Sequence, residues 1–391
     1  MLLGLSKESA EDVMNEVIAW RRYLHRHPEL SFQEAKTADF VYDKLLHLGG
    51  LELSRPTRTS VVARLIGDKP GPVLAFRADM DALPIHEANE VDYASENPGV
   101  MHACGHDGHT AMLLGAANIL SRSRERLNGE IRFLFQHAEE MPPGGAVELV
   151  NAGVLDGVDM IVGAHLMSPF QTGKIVLKKG ELFAGGDTFA ITIHGKGGHG
   201  GLPHETVDSV AIAAQVIANL QQIVARNIDP LESVVVSVTK IIGGSTNNVI
   251  PDCVEIAGTT RYFQNEWKET LPRLMERIVK GVTDAHGASY KFQYDYGYLP
   301  LINDAQVCAF VEEAGIGDLG AELVTEIRPL TVAEDFSAYL QKVPGCFVLI
   351  GAGNAVKGIV YPHHHPRFDL DEDALRIGVN LFVTIASRLF G

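Results

Sequence analysis

The sequence predicts an α/β protein of two domains: one built on a mixed sheet, and a smaller ferredoxin-like α+β domain inserted into it. Three observations predict this. At 391 residues the chain is long for one core. In its first half, apolar runs of strand length empty into polar groups, as the strands of an open α/β sheet do. In its middle, the order strand, helix, strand, strand, helix, strand takes over.

Taken in order, Val13, Val17, Ile18, Trp20, Arg21 and Leu24 recur at helical spacing, and the helix stops before Pro28. Ser31 and Glu34 read as a capping box for a second helix through Ala35, Phe40, Val41 and Leu45. His25 and His27 beside Pro28 read as structural. Strands follow at Ser60–Ile66 and Val73–Ala78, the latter continuously apolar like a buried central strand. It runs into Asp79 and Asp81. Glu130–Gln136 likewise runs into His137-Ala138-Glu139-Glu140, and Met160–Ala164 into His165. The middle comprises strand Asp187–His194, helix Thr206–Arg226, strands Ser233–Ile242 and Val254–Phe263, helix Trp267–His286 and strand Ser289–Tyr296. Turn-rich segments bound it, giving a discontinuous domain of residues 1–183 and 298–391 around an inserted one of 184–297. Cys346–Ile350 reads as a buried strand, Tyr361–Phe368 as a histidine-bearing segment, and Asp371–Leu389 as a final helix.

A formal charge of −16 argues against a nucleic-acid or anionic-membrane partner, since the chain has no compensating basic patch. A small anionic substrate would need a locally placed Arg or Lys. Four cysteines without framework spacing, and a start lacking the basic and apolar regions of a signal peptide, fit a reducing cytoplasm. Cys253, Cys308 and Cys346 read as core thiols. No apolar stretch reaches the roughly 18 residues that span a bilayer.

The chemistry concentrates in Met101-His102-Ala103-Cys104-Gly105-His106-Asp107-Gly108-His109-Thr110, which holds a thiol, three imidazoles and a carboxylate in ten residues. Thiolate and neutral imidazole are good ligands for zinc and its neighbours. The apolar run from Ala111 reads as a buried helix, with the donors on a loop at its N-terminus. A His-rich loop with a buried free cysteine is the plain alternative. Glu139 and Glu140 form a second feature: neighbours leaving a strand point in opposite directions, so one can ligate while the other acts as acid or base. Tyr361-Pro362-His363-His364-His365-Pro366 is the third, read as one inward ligand with two bystanders.

Together with Arg77-Ala78-Asp79-Met80-Asp81, Gly163-Ala164-His165, Gly195-Lys196-Gly197-Gly198-His199, Asn248-Val249-Ile250-Pro251 and His364-His365-Pro366, these motifs resemble the M20 metallopeptidases. The branch most similar is the amidohydrolases of N-acyl amino acids, hippurate and auxin–amino acid conjugates. The resemblance implies a zinc-peptidase-type catalytic domain and a satellite domain serving as lid or dimer interface. It further implies two divalent ions (zinc, manganese, cobalt or nickel), one held by Cys104, His106 and His165, the other by Cys104, Glu140 and His364. Cys104 would bridge them, Glu139 would be the general base, and His199 would stabilise the oxyanion, often across a dimer. Asn248 and Arg261 would hold the carboxylate of a small N-acyl amino acid substrate. Asp79 stands where most of the family has a histidine, and His106 supplies the missing imidazole. Asp81 keeps the position of an aspartate behind the ligands, and both aspartates stay outside the ligand set. His102, His109, His204, Glu334 and Asp335 are candidates to line the site. A dipeptidase or carboxypeptidase on the same scaffold is the alternative within the enzymes, and a non-catalytic metal-binding protein the alternative outside them.

Overall fold

A computed structural model describes residues 7–314, 319 and 321–391. The chain divides into two units, one made of the chain up to Leu182, Ile302–Arg328 and Asp335–Gly391, the other of Phe183–Leu301 and Pro329–Glu334. The second unit therefore includes a short return segment. Its Leu330 and Val332 carbonyls accept the Ala184 N–H at 3.1 and 3.0 Å.

The first unit is organised on an eight-stranded mixed sheet in the order Glu52–Ser54, Val61–Ile66, Asn128–Gln136, Lys69–Asp79, Met160–Gln171, Gly345–Gly353, Lys174–Val176, Glu322–Val324. Its four central strands, from Asn128–Gln136 to Gly345–Gly353, run parallel. Parallel strands are buried on both faces, which accounts for their continuous apolar runs. Their carboxyl ends point one way, so whatever polar groups follow them collect at one edge of the sheet.

Helix His106–Ser121 is buried along its length from His106 to Leu120. It packs against helices Lys7–Arg26, Ala35–Leu48 and Asp373–Phe390. Burying each of its Met and Leu side chains contributes about 1.5–3 kcal/mol. The helices approach closely at Gly115, where an added Cβ would lie 2.5 Å from Val17 Cγ2 and 3.0 Å from Val379 Cγ2. The helix begins earlier than the apolar run suggests. Gly105, at φ 90°, turns the chain in the left-handed region, so His106, Asp107 and His109 occupy the first helical turn and not a preceding loop.

Other expectations are corrected too. Ser31 and Glu34 do not form a capping box: the Ser31 hydroxyl donates to Asp81, and Glu34 makes no side-chain cap. His165 lies within a strand that continues to Gln171, paired with Leu349. Cys253 is exposed, whereas Cys308 and Cys346 are buried with their sulfurs 3.2 Å apart. A further helix, Ala305–Glu313, is capped by Asp304 and buries Val307, Cys308 and Val311.

In the second unit the four-stranded sheet runs Val234–Ile242, Cys253–Tyr262, Gly185–His194, Ser289–Asp295, all neighbours antiparallel. Numbered along the chain this is 2-3-1-4, the ferredoxin-like arrangement. Phe189, Ile191 and Ile193 alternate onto one face and share a core with Val216 and Leu220 of helix Ser209–Gln222 and with Leu271 and Met275 of helix Trp267–His286. The first of these helices starts at Ser209, because Asp208 accepts the Val210 and Ala211 N–H groups as its cap.

Gly115→Val places a branched side chain against two other branched side chains. It should lower stability by about 1–3 kcal/mol, read as a reduced urea midpoint at unchanged slope. An unchanged midpoint would mean the three helices can separate at little cost.

Candidate metal centre

Asp81, 1% exposed, follows the Lys69–Asp79 strand and collects four donors. Its Oδ1 accepts the Glu139 N–H at 3.0 Å, and its Oδ2 accepts the Glu140 N–H at 2.9 Å and the Ser31 hydroxyl at 2.7 Å. His106 Nδ1 lies 3.3 Å from Oδ1 and donates to the Asp81 carbonyl at 2.9 Å. Burial raises the Asp81 pKa, but His106 and the N–H donors outweigh it and hold the carboxyl below its usual value. One anion thus fixes the turn that carries Glu139 and Glu140 to the helix start that carries His106.

Around this anchor the ligand atoms of Cys104, His106 and His165 all lie within 4.8 Å of one another, as do those of Cys104, Glu140 and His364. Cys104 is common to both groups, and its Sγ is 3.6 Å from His165 Nε2. Glu139 joins His106 and Glu140 in another such group, its Oε2 3.9 Å from His106 Nε2. The imidazoles are already oriented. His106 donates from Nδ1, and His165 Nδ1 donates to the Leu166 carbonyl at 2.9 Å. In a neutral ring this leaves Nε2 as the lone-pair nitrogen facing the cluster. Burial holds His165 well below its usual pKa, in the neutral form a ligand needs.

Two buried atoms here have no hydrogen bond: His106 Nε2 and Glu140 Oε1. Glu140 Oε1 lies 3.2 Å from His364 Nε2 without hydrogen-bonding geometry. The electrostatics point the same way. Burial pulls the His106 pKa down, yet Asp79 and Asp81 push it up to about 10. Burial, with Glu140 and Glu139, drives the Cys104 thiol well above its usual range. The pocket field therefore favours positive charge. A divalent cation would satisfy both orphaned atoms and reverse the thiol's preference. The donor set fits such an ion.

The neighbouring histidines do other work. His109 Nδ1 bonds Asp79 at 2.6 Å and its Nε2 accepts the Leu166 N–H at 2.8 Å, so both nitrogens are committed to bracing the strand that bears His165. His363 Nε2 donates to the Leu166 carbonyl at 2.9 Å, and His365 stacks on Tyr361. His102 is buried with neither ring nitrogen bonded, and His204 is exposed in the second unit. Asp335 accepts from Arg77 Nη2 at 2.7 Å, Gln136 Nε2 at 2.7 Å and the Ala146 N–H at 3.0 Å.

In the second unit, His199 and Asn248 meet on a two-stranded ribbon, Gly198–His199 against Val249–Ile250, where the Gly200 N–H donates to the Asn248 carbonyl at 2.8 Å. The Gly201 N–H donates to His199 Nδ1 at 3.0 Å, which leaves the proton of the neutral ring on Nε2. Arg261 lies on the Cys253–Tyr262 strand, where its guanidinium bonds Thr259 Oγ1 and the Thr260 carbonyl.

The family model for peptidase family M20/M25/M40 matches residues 75–388. This chain belongs to that family. Among its M20/M25/M40 relatives, an N-acyl-L-amino acid amidohydrolase of Geobacillus stearothermophilus is 62% identical over 297 residues, covering 76% of this chain and 80% of the relative. Thermostable carboxypeptidase 2 of Saccharolobus solfataricus is 40% identical, covering 98% of this chain and 97% of its own. The crystal structure of the YXEP protein of Bacillus subtilis, a dinuclear metal-binding peptidase of the M20 family, superposes with a TM-score of 0.83 at 38% identity, covering 96% and 98% of the two chains.

The expectations for this M20 chain did not include the groups that hold the first turn of the His106–Ser121 helix from behind. Arg21, fully buried, donates to Asp107 Oδ2 at 2.8 Å and to Asp369 Oδ1 at 2.8 Å, and His25 Nδ1 lies 2.8 Å from the same Asp107 oxygen. The available signal was a charge inside an apolar pattern: Arg21 on the apolar face of its helix and Arg77 in an apolar strand. Burial would raise the Asp107 pKa, but Arg21 and His25 hold it far below the carboxylate range. That stabilisation is complete above the unfolded carboxylate pKa and is lost as pH falls through the folded one. Arg21→Met should cost about 3–5 kcal/mol at neutral pH by stranding a buried charge, and should flatten the acid limb of stability against pH. Denaturant titrations from pH 7 to 3 check this, and a parallel shift with no flattening would contradict it.

Proposed function

We propose that this chain hydrolyses the amide bond of N-acyl amino acids, releasing a carboxylic acid and a free amino acid, with two divalent metal ions at the Cys104 cluster. The observation that carries the reading is the pairing of Glu139 with Glu140 on one pinned turn, within reach of two ligand groups that share Cys104. A storage or sensor site has no use for a second carboxylate beyond its ligands. The activity of the Geobacillus relative supports the same substrate class.

In this reading Cys104, His106 and His165 would hold one ion, and Cys104, Glu140 and His364 the other. When bound, the ions supply a Lewis acid for the acyl carbonyl and lower the pKa of water. Glu139 accepts the proton of the attacking water and returns it to the departing amine. His199 serves as oxyanion donor through Nε2–H, the tautomer favoured by the Gly201 bond. Asn248 and Arg261 hold the substrate carboxylate, and Arg261 supplies the local positive charge that a chain of net charge −16 must provide for an anion. The metal is zinc, manganese, cobalt or nickel, all suited to mixed sulfur, nitrogen and oxygen donors.

Homodimerisation through the inserted unit fits this role, since its edge strand Val234–Ile242 leaves Ile241 and Ile242 exposed. Among the described residues no helix is long and apolar enough to cross a membrane. The unbridged Cys308 and Cys346 fit a reducing cytoplasm.

A carboxypeptidase reading has the Saccharolobus relative in its favour. The two differ only in what lies on the acyl side of the bond. Acetyl-, benzoyl- and longer acyl-amino acids, assayed beside dipeptides and blocked peptides with each metal restored, should show the acyl-amino acids with the higher kcat/KM. Higher values for peptides would reassign the substrate class. Glu139→Gln should keep both ions while losing about 10²–10⁴-fold in kcat, the range for a general base. Loss of the metals in that variant would make Glu139 a ligand.

A further inference from the structure

The turn bearing Glu139 is pinned at three successive backbone amides. Asp81 takes the N–H groups of Glu139 and Glu140, and the N–H of Ala138 goes to Glu34 Oε1 at 2.8 Å, 104 residues away in the chain. The same Oε1 accepts the Phe32 N–H at 2.9 Å. Ala138 has φ 50° and Phe32 φ 64°, so each is a side-chain-bearing residue in the left-handed region. Such residues sit there against a steric penalty and persist only where the surroundings hold them. One carboxylate oxygen therefore supports two strained turns at once.

Glu34 is a costly way to do this. Its side chain is fully buried, its Oε2 has no hydrogen bond, and burial pushes its carboxyl up to about 7. Nor does it serve its own helix, since it makes no side-chain cap there. Its Oε1 bonds go to the backbone of the Phe32 turn and to the residue immediately before Glu139.

We infer that Glu34 is a positioning residue for the hydrolysis: by holding Ala138 in the left-handed conformation it fixes the direction in which Glu139 leaves the turn. The inference rests on the reading of Glu139 as general base. Asp81 holds the amides of Glu139 and Glu140 but not the bend that precedes them. Without Glu34, the Ala138 amide loses its partner while its carbonyl still accepts the Gly145 N–H at 3.1 Å, and relaxation of Ala138 to negative φ rotates the Glu139 side chain away from the cluster.

The test compares Glu34→Gln, Glu34→Ala and Glu139→Gln in the metal-loaded enzyme, reading kcat, KM and metal content. Glu34→Gln keeps an oxygen for both amides and should stay within about threefold of the parent kcat, whereas Glu34→Ala should lose about 10–100-fold, as for a misplaced catalytic group. KM and a content of two ions per chain should hold in both. Should the alanine variant fail to fold, Glu34→Asp, one methylene too short to reach Ala138, should show the same loss of kcat. Parent-like kcat in the alanine or aspartate variant would overturn the inference. So would a glutamine variant as impaired as the alanine one, or a raised KM together with lost metal, which would mark a merely structural role. Full turnover in Glu139→Gln would instead overturn the base assignment, an outcome separate from those of Glu34.

Discussion

The site depends on one buried carboxylate. Asp81 draws together the Ser31 hydroxyl, the turn after the Asn128–Gln136 strand and the first residue of the His106–Ser121 helix. These pieces come from separate parts of the chain and have no local reason to meet. A carboxylate in a dry interior must be surrounded by donors or it will not ionise, and the cheapest donors are backbone amides. Satisfying Asp81 therefore brings Glu139, Glu140 and His106 into one place.

Around that anchor the unit accumulates more negative charge than its arginines neutralise. Arg77 answers Asp79 and Asp335, and Arg21 answers Asp107 and Asp369, each behind the cluster. Glu139, Glu140 and the Cys104 thiol in front lie beside His106, His364 and His165, and the field raises the pKa of His106 and of the thiol. The imbalance lies where the orphaned His106 Nε2 and Glu140 Oε1 lie. Cationic charge from divalent ions completes the arrangement.

Much of this was legible in the sequence because it is written in local patterns. Continuous apolar runs marked the central parallel strands, and the strand and helix order of the middle segment marked the ferredoxin-like unit. Glu140 and His165 were visible as polar groups after strands, Cys104 and His106 in the histidine-rich motif and His364 in the later histidine run, and the structure gathers them into two groups that share Cys104. What escaped the reading was tertiary. Ser31 and Glu34 have the spacing of a capping box, but their side chains are drawn to Asp81 and to Ala138 instead. The helix start at His106 depends on the left-handed Gly105, and the histidine-rich motif looked like a loop because its first turn is polar. The role of His109 depends on Asp79 and on the Leu166 amide, neither of which lies near it in the chain.

The central claim is that the part-buried Cys104 sulfur would be shared by two divalent ions within this carboxylate-held cluster. Zinc K-edge X-ray absorption on protein loaded to two equivalents tests it most directly. The account predicts a single short sulfur shell at about 2.3 Å beside nitrogen and oxygen donors, averaging one sulfur per zinc, with a metal–metal vector at about 3.5–4 Å. A shell of nitrogen and oxygen alone, or sulfur at only one of the two ions, would contradict it.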